Sequence, residues 1–198
     1  MTSIWLESLG RNFDNALDLF VAAIHNCPDA LWEVPMWPVP AWDPNFGLVS
    51  PEGQPVTDPA DRLALVQRHS TPWAVAWHAL ECLDYDLTGE FAPWNPPAPF
   101  AGHPHWLLTG MPKAWSRAEM LAYVDYCRER VRHTLAAMTD EKGATPLPQP
   151  HRYQGQPHAW IVTGMVGHTI EHAAQIQQFV TDATVNQKAD RRGSEGRS

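Results

Sequence analysis

Gly167-His168-Thr169-Ile170-Glu171-His172-Ala173-Ala174-Gln175-Ile176 is the stretch that decides the fold. Ile161, Met165, His168, His172, Ile176 and Phe179 recur at three- and four-residue steps, the period of one helix face. The spacing predicts a helix that begins near Gln156-Pro157-His158 and loses its pattern from Asp182. On such a helix His168 and His172 stand one above the other, with Cβ atoms roughly 5–6 Å apart, close enough to share one metal ion. A third histidine, His78, lies in another strongly helical segment, Trp73-Ala74-Val75-Ala76-Trp77-His78-Ala79-Leu80-Glu81-Cys82-Leu83. If the two helices pack side by side, three imidazoles converge. Three protein ligands leave a zinc ion a free coordination position, as catalytic rather than structural sites do.

Two more long helices are predicted. One runs from about Ile4 to His25, with Leu6, Leu9, Phe13, Leu17, Phe20 and Ile24 on its apolar face, and stops at Cys27-Pro28. Another starts at Ser116-Arg117-Ala118-Glu119, a capping box in which the Ser hydroxyl takes a backbone N–H and the Glu reaches back. It continues through Met120, Tyr123, Val124, Cys127, Val131 and Leu135 to about Met138. The His78 helix is split: a short piece follows Asp58-Pro59, and the main part opens at Ser70-Thr71-Pro72, a hydroxyl cap before a first-turn proline, and closes near Gly89.

Three long loops separate these helices. Residues 32–57 carry Trp32, Trp37, Trp42 and six prolines; residues 90–115 carry Trp94, Trp106, Trp115 and six more; residues 139–156 form the third. Loops of that length in a compact domain are functional or disordered, and indoles need burial. The first two are therefore expected to pack over one end of a bundle and wall a pocket. The fold expected is all-α: a four-helix bundle with long Pro/Trp-rich crossover loops, a single domain over 1–182 and a disordered polar tail over 183–198.

Hydrophobic residues are 44% of the 198 and charged ones 18%, a globular composition of single-domain size. The net charge of −8, with no basic stripe, argues against a nucleic-acid partner. Cys27, Cys82 and Cys127 are odd in number and widely spaced, which reads as three reduced thiols of a cytoplasmic protein. Met1-Thr2-Ser3-Ile4-Trp5-Leu6-Glu7 shows no signal peptide. No apolar run reaches the roughly 18–20 residues of a membrane span.

Other arrangements of the same residues fit less well. His168-Thr169-Ile170-Glu171-His172 formally reads H-x-x-E-H, a metallopeptidase motif. That motif takes its third ligand well downstream, and only 26 residues follow His172. A di-iron carboxylate site needs paired Glu-x-x-His motifs; here the order is reversed. Glu81 and Glu171 each follow a histidine by three residues, the place of a carboxylate that orients an imidazole, but both are read as solvated. Cys82, one turn from His78, is read as a neutral buried thiol rather than a ligand that closes the site. Tyr85 shares the His78 face, with its ring in the core. His103 and His105 are read as loop histidines.

Three stretches resemble the DinB-like superfamily of metal-binding four-helix bundles, which includes bacillithiol transferases and mycothiol-dependent maleylpyruvate isomerases. They are Ser70-Thr71-Pro72-Trp73 leading into His78; Trp115-Ser116-Arg117 through Arg128-Glu129-Arg130-Val131; and the H-x-x-x-H of His168 and His172 followed by Gln175-Ile176. The resemblance covers roughly residues 10–182. It implies a metal centre made by His78, His168 and His172, with zinc or nickel as the ion, and a homodimer. It also implies a low-molecular-weight thiol as cosubstrate, its sulfur on the metal. A divalent ion deprotonates such a thiol at neutral pH and supplies a nucleophile without a cysteine of the protein's own.

The function expected is a metal-dependent enzyme of the thiol-dependent S-transferase or isomerase kind, activating a thiol or water against a small electrophile. Two alternatives stay open at this point: a non-catalytic, metal-stapled protein that binds a small stress-related ligand, and a metal-dependent hydrolase.

Overall fold

The computed structural model describes residues 3–37, 56–102 and 114–195, with side chains described as far as Val185. Trp42, Trp106, His103 and His105 lie outside the described residues. The described chain is helical and holds no strand: α1 (Ile4–Asn26), α2 (Asp29–Trp32), α3 (Pro59–His69), α4 (Pro72–Thr88), α5 (Arg117–Ala137), α6 (Asp140–Ala144) and α7 (His158–Glu195). The four long helices are the four expected. Each of α1 and α4 packs against both α5 and α7, so α1 and α4 face each other across the bundle. The backbone of α7 stays helical to Glu195, well past Asp182 where the apolar pattern ends.

The helix ends follow local chemistry. The Ser3 hydroxyl accepts from the Trp5 amide at the start of α1. Ser116 and Glu119 form the reciprocal capping box of α5, with the Glu119 amide donating to Ser116 Oγ (3.2 Å) and the Ser116 amide to Glu119 Oε2 (2.7 Å). Asp58 caps α3, accepting from the amides of Ala60 and Asp61. The expected hydroxyl cap on α4 is absent: Pro72 opens the helix, but Thr71 Oγ1 donates back to the Arg68 carbonyl (2.7 Å). That bond fixes the tight corner between α3 and α4 instead. Gly89 ends α4 in the left-handed region (φ 62°), its amide donating to the Tyr85 carbonyl.

The core residues of α1 are Phe13, Ala16, Leu17, Phe20, Ala23 and Ile24. Those of α5 are Met120, Tyr123, Val124, Cys127, Val131 and Leu135. Burial of each large apolar side chain contributes roughly 1.5–3 kcal/mol. Trp73 and Trp77 stack (6.1 Å, 17°), and Trp115 meets Trp77 edge-on at 5.9 Å. Trp32 Nε1 donates to the Trp115 carbonyl (2.8 Å), which ties the exit of α2 to the entry of α5. Arg117 binds the Cys27 carbonyl and Asp29 at the same corner.

Helix α4 is wrapped on nearly every side. All of its residues are buried except His78 and Tyr85, which are half-buried. Its acidic residues are therefore not on a solvated face. Glu81 is 1% exposed, which corrects the solvated reading of that residue. Asp84 accepts from Trp94 Nε1 (2.9 Å), Arg130 Nε (3.1 Å) and the Tyr123 hydroxyl (3.4 Å). Asp86 is held by His151 Nε2 (3.1 Å) and Arg152 Nη2 (2.6 Å), from the segment between α6 and α7. Burial pushes both carboxyls up, and the arginines oppose it. Side chains from α5 and from the loops thus do for α4 what water does for a surface helix.

Candidate metal centre

α4 and α7 lie side by side, and their histidines meet. Ring centroids are 5.3 Å apart for His78 and His168, 5.0 Å for His78 and His172, and 4.5 Å for His168 and His172. The fully buried stripe of α7 is Ile161, Val162, Met165, Thr169, Ala173 and Ile176. His168 and His172 sit beside it and are half-buried, as His78 is on α4. The sequence places these rings on the core stripe itself; the structure moves them to its margin, where a ligand has access.

Nε2 of His172 lies 3.2 Å from Nε2 of His168. Nδ1 of His172 lies 2.8 Å from Oε1 of Gln175, one turn on, and Gln175 Nε2 donates to Glu171 Oε1 (3.5 Å). With its amide nitrogen on the carboxylate, Gln175 presents an acceptor to His172. Nδ1 therefore carries the proton, and Nε2 keeps the lone pair that faces His168. Glu171 is exposed, as expected, and acts through Gln175.

Cys82 belongs to the same cluster. Its Sγ is 3.7 Å from Nδ1 of His78, and one ligand atom from each of His78, Cys82 and His168 falls within 4.8 Å of the others. These described residues form a His–His–Cys group able to hold a metal ion. The fit can be tested on distances. Zinc bonds of about 2.0–2.1 Å to nitrogen and 2.3 Å to sulfur give tetrahedral edges of about 3.3 Å between nitrogens and about 3.6 Å between nitrogen and sulfur. The 3.7 Å between His78 Nδ1 and Cys82 Sγ matches the second edge; the 3.2 Å between Nε2 of His168 and Nε2 of His172 matches the first, although His172 falls outside the 4.8 Å group of His78, Cys82 and His168. Burial pushes the Cys82 thiol up to about 11, against the lowering effect of Arg152, whose Nη1 is 3.7 Å from Sγ.

Arg152 was not legible from the sequence. It reaches the cluster because its neighbour His151, fully buried, is clamped to Asp86 and stacks on Tyr85 (5.2 Å, 9°). Tyr85 itself donates its hydroxyl to Glu90 (2.7 Å), beyond the end of α4. Cys27 and Cys127 are buried, and all three cysteines are free.

A pocket of about 460 Å³ lies along α7, with Gln175, the partner of His172, in its wall. Met36, Trp37 and Phe179 supply apolar surface, and Glu171, Gln178 and Asp182 supply polar surface. Met36 is fixed there by its amide, which donates to the Ser70 carbonyl (2.9 Å). Of the described part of the first Trp-rich loop, Trp37 lines this pocket wall but is exposed, not buried as its composition predicts, whereas Trp32 is buried.

Four helices around a buried core, with a histidine cluster between the second and fourth long helices, define a helical bundle with a group of side chains able to hold a metal ion. The family model of the DinB superfamily matches residues 12–176, and the chain belongs to that superfamily. No curated protein and no solved structure matches it. Among the described residues, no helix is long and apolar enough to cross a membrane.

Proposed function

We propose that His78, His168 and His172 hold one divalent ion, zinc or nickel, and that the protein is an enzyme of the thiol-dependent transferase or isomerase kind. The observation that carries this reading is the meeting of three half-buried imidazoles from two separate helices, one of them held in a single tautomer by Gln175. When bound, the ion supplies Lewis acidity that lowers the proton affinity of a thiol or water. The chain's own residues set the rest. Gln175 and Glu171 orient His172. The walls of the pocket along α7 take up a small electrophile, and its two carboxylates, Glu171 and Asp182, favour neutral or cationic groups over anions.

The test is metal analysis of the purified protein, followed by conjugation of a small thiol to a model electrophile. Turnover that needs both metal and thiol supports the transferase reading. Turnover with metal and water alone makes the protein a hydrolase, and retention of a small ligand without turnover makes it a binding protein. Stoichiometric metal retained by His172→Ala at unchanged affinity removes the triad.

A further inference from the structure

We propose that Cys82 is a fourth donor to the ion of that centre, occupying the position an incoming thiol needs and competing with it. The inference rests on the histidine centre proposed above and adds a ligand that the three-histidine pattern does not contain.

Three observations support it. Cys82 lies one helical turn beyond His78 on α4, so both side chains project toward α7 from adjacent turns. Its sulfur stands 3.7 Å from His78 Nδ1, the spacing of two donors on one tetrahedral ion. It also falls within 4.8 Å of a His168 ligand atom, so the contact extends to the second helix. Arg152 brings a guanidinium to 3.7 Å from the sulfur, anchored by its bond to the fully buried Asp86 carboxylate. Apolar packing alone asks for neither histidines nor an arginine around a buried thiol.

The consequence is a built-in competitor. An exogenous thiol meets a centre whose exchangeable position is filled, and its apparent affinity falls by the fraction of centres left open. The chain then sets its thiol affinity through Cys82 and through the segment that carries Arg152.

Cobalt(II) in place of the native ion gives a direct readout, because a thiolate on cobalt produces a near-ultraviolet charge-transfer band that imidazoles do not. The wild-type protein loaded with one cobalt per chain is expected to show this band without added thiol. Cys82→Ser is expected to keep the cobalt and lose the band. Titration with 2-mercaptoethanol should then restore a band in the variant at about one tenth, or less, of the concentration at which it perturbs the wild-type spectrum. Cobalt bound to the wild type with no band overturns the role of Cys82 and leaves the histidine centre standing. A band that survives in Cys82→Ser does the same. Failure of the wild type to bind cobalt at all overturns both.

Discussion

Gln175 Oε1 and His172 Nδ1 are 2.8 Å apart across one turn of α7, and this contact fixes which nitrogen of His172 faces the cluster. Outer partners of this kind typically change metal affinity by about 10–100-fold. Gln175→Ala is therefore expected to weaken metal binding by that factor, with helical circular dichroism unchanged. Competition against a chromophoric chelator measures it. Gln175→Glu, which keeps an acceptor at the same place, is expected to recover most of the loss; equal losses in both variants would show that the contact orients nothing.

His172→Ala removes a proposed ligand and should weaken binding by more than any change at Gln175. His172 is half-buried at the edge of the core, so its truncation should leave the bundle folded. Metal content after dialysis against a mild chelator, read beside the far-ultraviolet spectrum, separates loss of the site from loss of the fold.

The bundle was legible because its signals are local. The Ser116–Glu119 capping box, Pro72 at the first turn and Gly89 at the last are all written within a few residues of the ends they mark. The ring cluster was legible because His168 and His172 lie four apart and His78 needed only one helix–helix contact to join them. Cys82 was visible too, but its role depends on the sulfur's distance to His78 and His168, which no spacing gives. The surroundings of Asp84 and Asp86 were not legible. Two carboxylates two residues apart look like a solvated face until Trp94, Arg130, His151 and Arg152 arrive from segments 10 to 66 residues away. A pattern of period 3.6 reports which face of a helix is apolar, not whether a loop covers the other.

Asp86 shows what that cover is for. His151 and Asp86 have no exposed side-chain surface, and the ring nitrogen satisfies Oδ1 at 3.1 Å. His151→Phe keeps a ring to stack on Tyr85 but leaves the oxygen without that bond. The expected cost is about 1–3 kcal/mol, the penalty for stranding a buried acceptor, read as a lower urea midpoint with an unchanged slope. A loss within experimental error would mean that Arg152 alone satisfies the carboxylate.

Gly89 adopts φ +62°, and a Cβ there would meet Phe91 Cε2 at 2.9 Å and His158 Cδ2 at 3.0 Å. Placing an L side chain in the left-handed region costs roughly 1–2 kcal/mol before any clash. Both neighbours are ring atoms, which cannot retreat as a flexible chain end does. Gly89→Ala is expected to destabilise by at least that amount in chemical denaturation, with Gly89→Asn milder in its backbone cost because asparagine tolerates this conformation.

His158, the first residue of α7, is 7% exposed, and burial holds its imidazole below the usual histidine range, against hydrogen bonding to the carbonyls of Leu87 and Asp86. The sign of the pH effect follows. The unfolded chain takes up a proton near the ordinary histidine value of about 6.5, while the folded chain takes it up only at lower pH. As pH falls through that window the unfolded state binds more protons, so stability declines; above it the contribution is fully present. Urea midpoints should therefore drop between pH 7.5 and pH 5.5. In His158→Gln, which cannot titrate, the drop should be shallower by the share this ring contributes. The difference between the two curves reads the contribution of this ring. Parallel curves would mean that its protonation costs the fold nothing.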